Sequence, residues 1–229
     1  HLADFLEELC KLDFHWIRLH YLYPEWIDDR LIDVIAREDK ILKYLDIPLQ
    51  HCNDKILKKM NRRGDKKYLC ALLDKLRERI PGLVLRTSII AGLPGEGEEE
   101  FDELCDFLRE QKLLRAGVFP YSPEEGTRAA KMERVDSDEA ARRAERIVDI
   151  QSEIIDAWND ERQGDVMEVL CEGFDGQSML FVGRSYAESP DIDGRIYFSA
   201  PRDVAAGEFV PVRITGAMDG ELTGELAEE

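Results

Sequence analysis

The chain has 229 residues, enough for one large domain or two small ones, and its 31 Lys and Arg against 49 Asp and Glu give a formal net charge of −18. So acidic a chain lacks the general cationic footprint that grips a nucleic-acid backbone, which leaves a basic partner or a small ligand in a local pocket. With 44% apolar residues the composition is globular, and no apolar run approaches the roughly 20 residues of a membrane span, so a cytoplasmic protein with no membrane partner is expected.

Leu2, Phe5, Leu6 and Leu9 recur at helical spacing, and Trp16 to Leu22 reads as a strand stopped at Pro24. Asp28 or Asp29 caps a second helix carrying Leu31, Ile32 and Ile35, and Tyr44 to Leu49 reads as the next strand. Two helices follow, one opening at Asn53 and one at Asp65, the latter closed by Pro81-Gly82. The third strand, Leu83 to Ala91, is apolar apart from Arg86, Thr87 and Ser88, the pattern of a strand covered on both faces. A Gly-Leu-Pro-Gly-Glu turn at 92–96, a helix with Phe101, Leu104, Cys105 and Leu108 on one face, and a strand at Gly117 to Tyr121 complete four strand–helix alternations. Such alternation predicts an α/β parallel sheet or barrel with right-handed crossovers.

The grammar then changes. Asp136 or Ser137 caps a long helix whose Ala140, Ala144, Ile147, Val148, Ile154, Ile155 and Trp158 form one apolar stripe, and Gly164 ends it. Beyond it come five short strands with Gly-rich turns, at 165–172, 177–185, 194–199, 208–214 and 221–226, the signature of a small closed barrel. The expected division is 1–135, a connecting helix over 136–163, and 164–229. Cys10, Cys52, Cys70, Cys105 and Cys171 are odd in number and at least 18 residues apart, so they suggest neither a disulfide framework nor a metal site, but small buried hydrophobes kept reduced.

In a parallel barrel, ligands sit at the carboxyl ends of the strands, which here are Tyr23-Pro24, Gln50-His51, Gly92 to Glu96 and Tyr121-Ser122. Gly92 and Gly95 let a backbone pass close to a ligand, and Pro94 stiffens the turn. Glu96 is either a ligand contact or the acidic first-turn residue of the next helix. Arg86, a lone cation in an apolar strand, must point where it can be paired, either into the lumen or to Asp46 on the neighbouring strand. Arg18 and His20 share one face of their strand and are candidate lumen residues, with a satisfied structural His as the alternative. Met60-Asn-Arg-Arg is a local basic cluster suited to solvent or a helix end.

Five segments, taken in order, resemble a known family: Trp16-Ile-Arg-Leu-His-Tyr-Leu-Tyr-Pro, Leu45-Asp-Ile-Pro-Leu-Gln-His, Met60-Asn-Arg-Arg-Gly, Arg86-Thr-Ser-Ile-Ile-Ala-Gly-Leu-Pro-Gly-Glu and Gly117-Val-Phe-Pro-Tyr-Ser-Pro-Glu-Glu-Gly-Thr. Together they resemble the carboxy-terminal portion of a radical-SAM methylthiotransferase, and 164–226 is similar to the TRAM domain that closes such enzymes. The resemblance implies part of a (β/α) TIM-like barrel with parallel strands, followed by a five-stranded antiparallel, OB-like barrel. It implies S-adenosylmethionine as cofactor, held by Gln50, Arg86, Ser88, Gly92, Pro94, Gly95 and Glu96, with Tyr121 and Ser122 toward the substrate. It also implies 4Fe-4S clusters, whose short-spaced cysteines this sequence lacks, so no metal ligand is expected in this chain and no activity from it alone.

Within the family the charge distribution separates protein-modifying from transfer-RNA-modifying members. Residues 163–229 hold 14 acids and 4 bases, a net −10, leaving −8 for the first 162. A surface of that sign repels RNA and attracts a basic small-subunit ribosomal protein, modified at an aspartate in the branch this chain most resembles. The alternatives are a transfer-RNA methylthiotransferase, a non-catalytic docking module, or acid that merely confers solubility.

Overall fold

The computed structural model describes residues 1–227; Glu228 and Glu229, which enter the count of terminal acids, lie outside them. The chain forms two compact units, His1–Gln151 and a second from Ser152 onward.

The first unit opens with α1 (Leu2–Cys10) and a short strand β1 (Ile17–Leu19), followed by α2 (Asp29–Arg37), β2 (Ile41–Asp46), α3 (Asp54–Lys59), α4 (Lys66–Arg79), β3 (Val84–Ala91), α5 (Glu98–Gln111) and β4 (Arg115–Pro120). The caps are those the sequence signals: Asp28 accepts from Leu31 N–H at 2.8 Å, Asn53 from Lys55 and Ile56, and Asp65 from Tyr68 at 2.7 Å. The strands pair in parallel in the order β1-β2-β3-β4, so successive strands are neighbours joined by helical crossovers. β1 is shorter than the expected Trp16–Leu22, because a register shift interrupts its pairing with β2 and a 3-10 turn at Pro24–Trp26 follows. β2 begins at Ile41, three residues before the expected start.

Alternate strand residues face opposite sides. Ile41, Leu45, Leu85, Ile89 and Ala91 lie on one face at 0–3% exposure, and with Ile32, Ile35, Leu69, Leu73, Leu76, Leu104 and Leu108 of the crossover helices they make the core. The other face carries Tyr44, Asp46, Arg86, Ser88, Arg115 and Gly117. The two faces thus differ in chemistry: the first is mainly apolar, with Thr87 and with Lys43 reaching the carbonyls at the end of α2, and the second carries Asp46, Arg86 and Arg115.

α6 (Ser137–Glu161) runs on from the first unit, burying Ala140, Ala144, Ile147 and Ile150 there; Val148, expected on the apolar stripe, is 53% exposed. Gln151 donates from Nε2 to the carbonyls of Leu113 (2.9 Å) and Leu114 (2.6 Å), satisfying the backbone that leads into β4.

The second unit is a closed five-stranded barrel of β5 (Val166–Asp175), β6 (Leu180–Arg184), β7 (Ile196–Ser199), β8 (Phe209–Met218) and β9 (Glu221–Leu226), in the order β5-β6-β7-β9-β8. Val169, Cys171, Ile196, Phe198, Val210, Val212, Ile214 and Leu222 fill it at period-two spacing. The barrel is mixed, correcting the expectation of an antiparallel one: β7 and β9 pair in parallel. The reason is parity. Directions cannot alternate all the way round a ring with an odd number of strands, so at least one neighbouring pair must run parallel. All five cysteines are free thiols; Cys52, Cys105 and Cys171 are buried and their acidities are suppressed by burial.

Candidate functional site

The charged face of the parallel sheet is built across all four strands. Arg18 of β1 lays its guanidinium 4.3 Å from the centre of the Tyr44 ring, and His20 places Nδ1 3.7 Å from Asp46 Oδ2. Asp46 on β2 stands in register with Arg86 on β3, which stands in register with Arg115 on β4. Arg86 Nη1 donates to Asp46 Oδ1 at 3.1 Å, with Asp46 fully buried and Arg86 at 7% exposure. The sequence left Arg86 between a lumen role and a pair with Asp46. The pair is formed, and the guanidinium also borders the opposite strand: a Cβ at Gly117 would lie 3.3 Å from Arg86 Nη2. Arg86 therefore spans from β2 to β4, and the missing side chain at 117 gives it room. Ser88, one step higher on the same face, is in register with Gly117.

At the strand ends, Gln50 adopts φ +70° and continues the β2–β3 pairing: its N–H donates to Ser88 O at 2.8 Å and its carbonyl accepts from Ile90 N–H at 3.0 Å. The turn 92–96 is held from inside. Glu96, at 4% exposure, accepts on Oε1 from Gly92 N–H and from Arg143 Nη1, each at 2.9 Å, and its Oε2 faces His51 Nε2 at 3.3 Å. Asn53 N–H donates to His51 Nδ1 at 3.0 Å, which leaves the ring proton on Nε2, toward Glu96. Burial opposes ionisation of Glu96, but His51, Arg143 and the Gly92 N–H outweigh it and hold the carboxyl below its ordinary range. Glu96 is not a first-turn residue, since α5 starts at Glu98 with Gly97 as its cap. Through Oε1 it ties Gly92 to Arg143, which makes it the anchor of this turn.

Gly92, at φ +80°, packs against Ala140, whose Cβ occupies the space a side chain would take. Lys59 fills the equivalent space beside Gly95, at φ +85°. The two glycines thus admit a helix and a lysine, and Pro94 between them is buried. Tyr121 is half-buried, and its N–H continues the β3–β4 pairing to Ala91 O at 2.8 Å; Ser122 is exposed. Tyr121 borders a cleft of about 740 Å³ shared with Ile90, Leu93, Pro94, Met60 and Met132. Arg62 of the basic cluster lies 5.4 Å over the Tyr23 ring.

The sheet thus brings Arg18, His20, Arg86 and Ser88 to one face, while Glu96, Gly92 and Gly95 sit within the packing of their turn. Sequence reasoning missed Arg115 and Arg143, and placed His51 at a strand end without a role. Arg115 carried the signal that singled out Arg86, a cation entering an apolar strand. Arg143 falls on the stripe of Ala140, Ala144 and Ile147, where a charge at helical spacing points inward.

Among the described residues, no three His, Cys, Asp or Glu side chains come together to hold a metal ion, so the donor set of this chain does not fit an iron–sulfur cluster. No helix is long and apolar enough to cross a membrane. On the small barrel, Arg184 pairs with Glu172 at 2.8 Å and Arg202 with Glu208 at 2.7 Å, so two of its four bases are already neutralised and the acid excess stands.

Residues 1–108 match the Radical SAM superfamily and residues 164–227 the TRAM domain. The chain is 46% identical over 231 residues to "Ribosomal protein uS12 methylthiotransferase RimO" of Symbiobacterium thermophilum, covering 99% of this chain and 48% of that protein. The protein of the same name from Acetivibrio thermocellus is 43% identical over 230 residues, covering 100% and 51%. The chain therefore spans about half the length of the curated relatives it matches. Among solved structures, coproporphyrinogen III oxidase of Escherichia coli, described as a radical SAM enzyme, superposes with a TM-score of 0.55 at 20% identity, over 67% of this chain and 36% of that one. That likeness concerns the fold.

Proposed function

The chain belongs to the radical SAM proteins that carry a TRAM domain, and from that premise we propose that the protein it forms part of transfers a methylthio group to an aspartate of ribosomal protein uS12. The observation that carries the reading is identity above 40% spread over essentially the whole chain, both units included, to proteins named for that activity. A shared fold alone would not support it.

S-adenosylmethionine is assigned to the charged face of the sheet, where Arg86 presents a buried guanidinium and Ser88 offers a hydroxyl. When bound, it supplies the radical that activates the substrate carbon and the methyl group that accompanies sulfur. Arg86, oriented by Asp46, would hold its carboxylate; Ser88 and Gln50 would meet its polar edge; and the turn Gly92-Leu-Pro-Gly95, anchored through Glu96, would wall its upper side. Arg18 and His20 lie on the same face, and Tyr121 and Ser122 stand toward the substrate. These groups bind, orient and exclude water. The cluster ligands are assigned to the part of the relatives that this chain does not span, so the chain by itself is expected to be inactive.

The acidic barrel supports a basic ribosomal protein as partner, in the cytoplasm, over transfer RNA, because net −10 in 67 residues opposes a polyanion. The test is to express the full-length protein, reconstitute it anaerobically, and incubate it with uS12, transfer RNA and S-adenosylmethionine. The expected result is uS12 heavier by one methylthio group in place of a hydrogen, mapped to an aspartate. Modification of the RNA, with uS12 unchanged, would overturn the reading.

A further inference from the structure

One stretch reverses the charge of the chain: Lys55 to Lys67 holds seven Lys and Arg and a single acid, Asp65, in a protein whose acids outnumber its bases 49 to 31. α5 neutralises two of the seven, Lys55 through Glu100 at 2.6 Å and Lys66 through Glu103 at 3.1 Å, and Lys58 and Lys59 border the cleft beside Tyr121. That leaves Arg62, half-exposed, and Arg63 and Lys67, fully exposed, with no acid in ion-pair contact among the described residues. The exposed arginines of α2 differ: Arg30 pairs with Asp4 and Glu7, and Arg37 with Glu7. Contacts bring the three cations to one rim. Gly64 takes φ +86°, and a Cβ there would lie 2.6 Å from the Tyr68 ring, so the turn carrying Arg62 and Arg63 rests on the start of the helix that carries Lys67. Asp65 caps that helix through the Tyr68 N–H. The Tyr68 hydroxyl donates to Pro24 O at 3.0 Å, and the Arg62 guanidinium lies 5.4 Å over the half-exposed Tyr23 ring. Tyr23 and Pro24 follow β1 at its carboxyl end, so the rim borders the edge of the sheet to which the ligands are assigned.

Neighbouring guanidiniums without acid partners suit phosphate, whose oxygens accept from the arginine fork in pairs, and the Tyr23 ring beneath one of them restricts where it swings. We propose that this rim meets the phosphate backbone of the RNA to which uS12 is bound in the small ribosomal subunit, so that the substrate is recognised as uS12 on its RNA. The proposal rests on the preceding reading of uS12 as the substrate. Three cations on a chain of net charge −18 hold no free RNA. RNA already joined to a bound uS12 meets them at high effective concentration, and each contact then adds to the affinity. The acidic barrel and the basic rim thus answer to the two opposite charges of one particle.

The test uses the full-length protein with its cofactors and measures its affinity for free uS12 and for purified small ribosomal subunits with unmodified uS12, over a range of salt. The parent is expected to bind the subunits at least about tenfold more tightly than free uS12 at low salt. The triple variant Arg62→Gln/Arg63→Gln/Lys67→Gln is expected to lose that preference. Its slope of log affinity against log salt on the subunits should be shallower by about 2, at roughly 0.7 for each phosphate contact removed. Its affinities for free uS12 and for S-adenosylmethionine should match the parent's. Arg63→Glu, a single change on the exposed turn, should reproduce part of the loss, which separates charge from any fault in folding. Lys75→Gln, also on α4 but paired with Asp29, should behave as the parent. The proposal is overturned if the parent shows no preference for the subunits or the triple variant keeps it. It is equally overturned by an equal loss on free uS12, which would assign the rim to the protein itself, or by a loss of S-adenosylmethionine affinity, which would assign it to the cofactor. A parent that neither binds nor modifies uS12 in either form would instead bring down the substrate reading on which the proposal rests.

Discussion

Asp46 and Arg86 stand opposite one another on adjacent parallel strands, joined at 3.1 Å between Oδ1 and Nη1, on the sheet face that also carries Arg115. The pair holds a guanidinium on that face between Asp46 of β2 and Gly117 of β4. Its worth lies in placement: a buried ion pair adds little net stability, yet removal of one partner strands the other.

Asp46→Asn is therefore expected to destabilise the first unit by about 3–5 kcal/mol, because it leaves Arg86 charged and buried. Asp46→Leu combined with Arg86→Met should cost much less than the sum of the single changes. Urea unfolding of the four proteins gives the coupling, and additive single effects would show that the pair does not act as a unit.

Glu96 ties the turn 92–96 to His51 and Arg143, and its depressed acidity gives the stability a direction with pH. Since its folded pKa lies below the ordinary value of 4.5, its contribution is fully present above that pH and is lost as pH falls through the folded value. Glu96→Gln should lower stability at neutral pH and flatten its decline on acidification. Denaturant midpoints measured from pH 7 down to the acid transition check this; parallel curves for the two proteins would refute it.

Gly92 takes a positive φ and meets Ala140 where a side chain would begin. Gly92→Ala combines left-handed strain with a steric clash, and a loss of about 2 kcal/mol or more is expected in thermal unfolding. Restoring space with Ala140→Gly should recover only the steric part.

The acidic barrel predicts salt-sensitive binding of uS12. Affinity of the full-length protein should fall as ionic strength rises from low to physiological, while single-stranded RNA should show no binding at either. Salt-independent binding of uS12 would remove the charge argument for the partner.

Local chemistry made much of this protein legible in one dimension. Asp28, Asn53 and Asp65 announced their helices because a cap bonds within three residues of itself, and the four alternations announced a parallel sheet because a helix between two strands carries the chain back to start the next in the same direction. The acid excess of residues 163–229 needed only counting. What tertiary structure alone decided was which charge meets which. Arg86 found Asp46 through strand register, and Glu96 became an anchor because residues 45 before it and 47 after it in sequence converge on its carboxylate. The basic rim draws on residues around 23, 62 and 68. Pairings of that kind are set by packing between distant segments, where no periodicity or local spacing carries the signal.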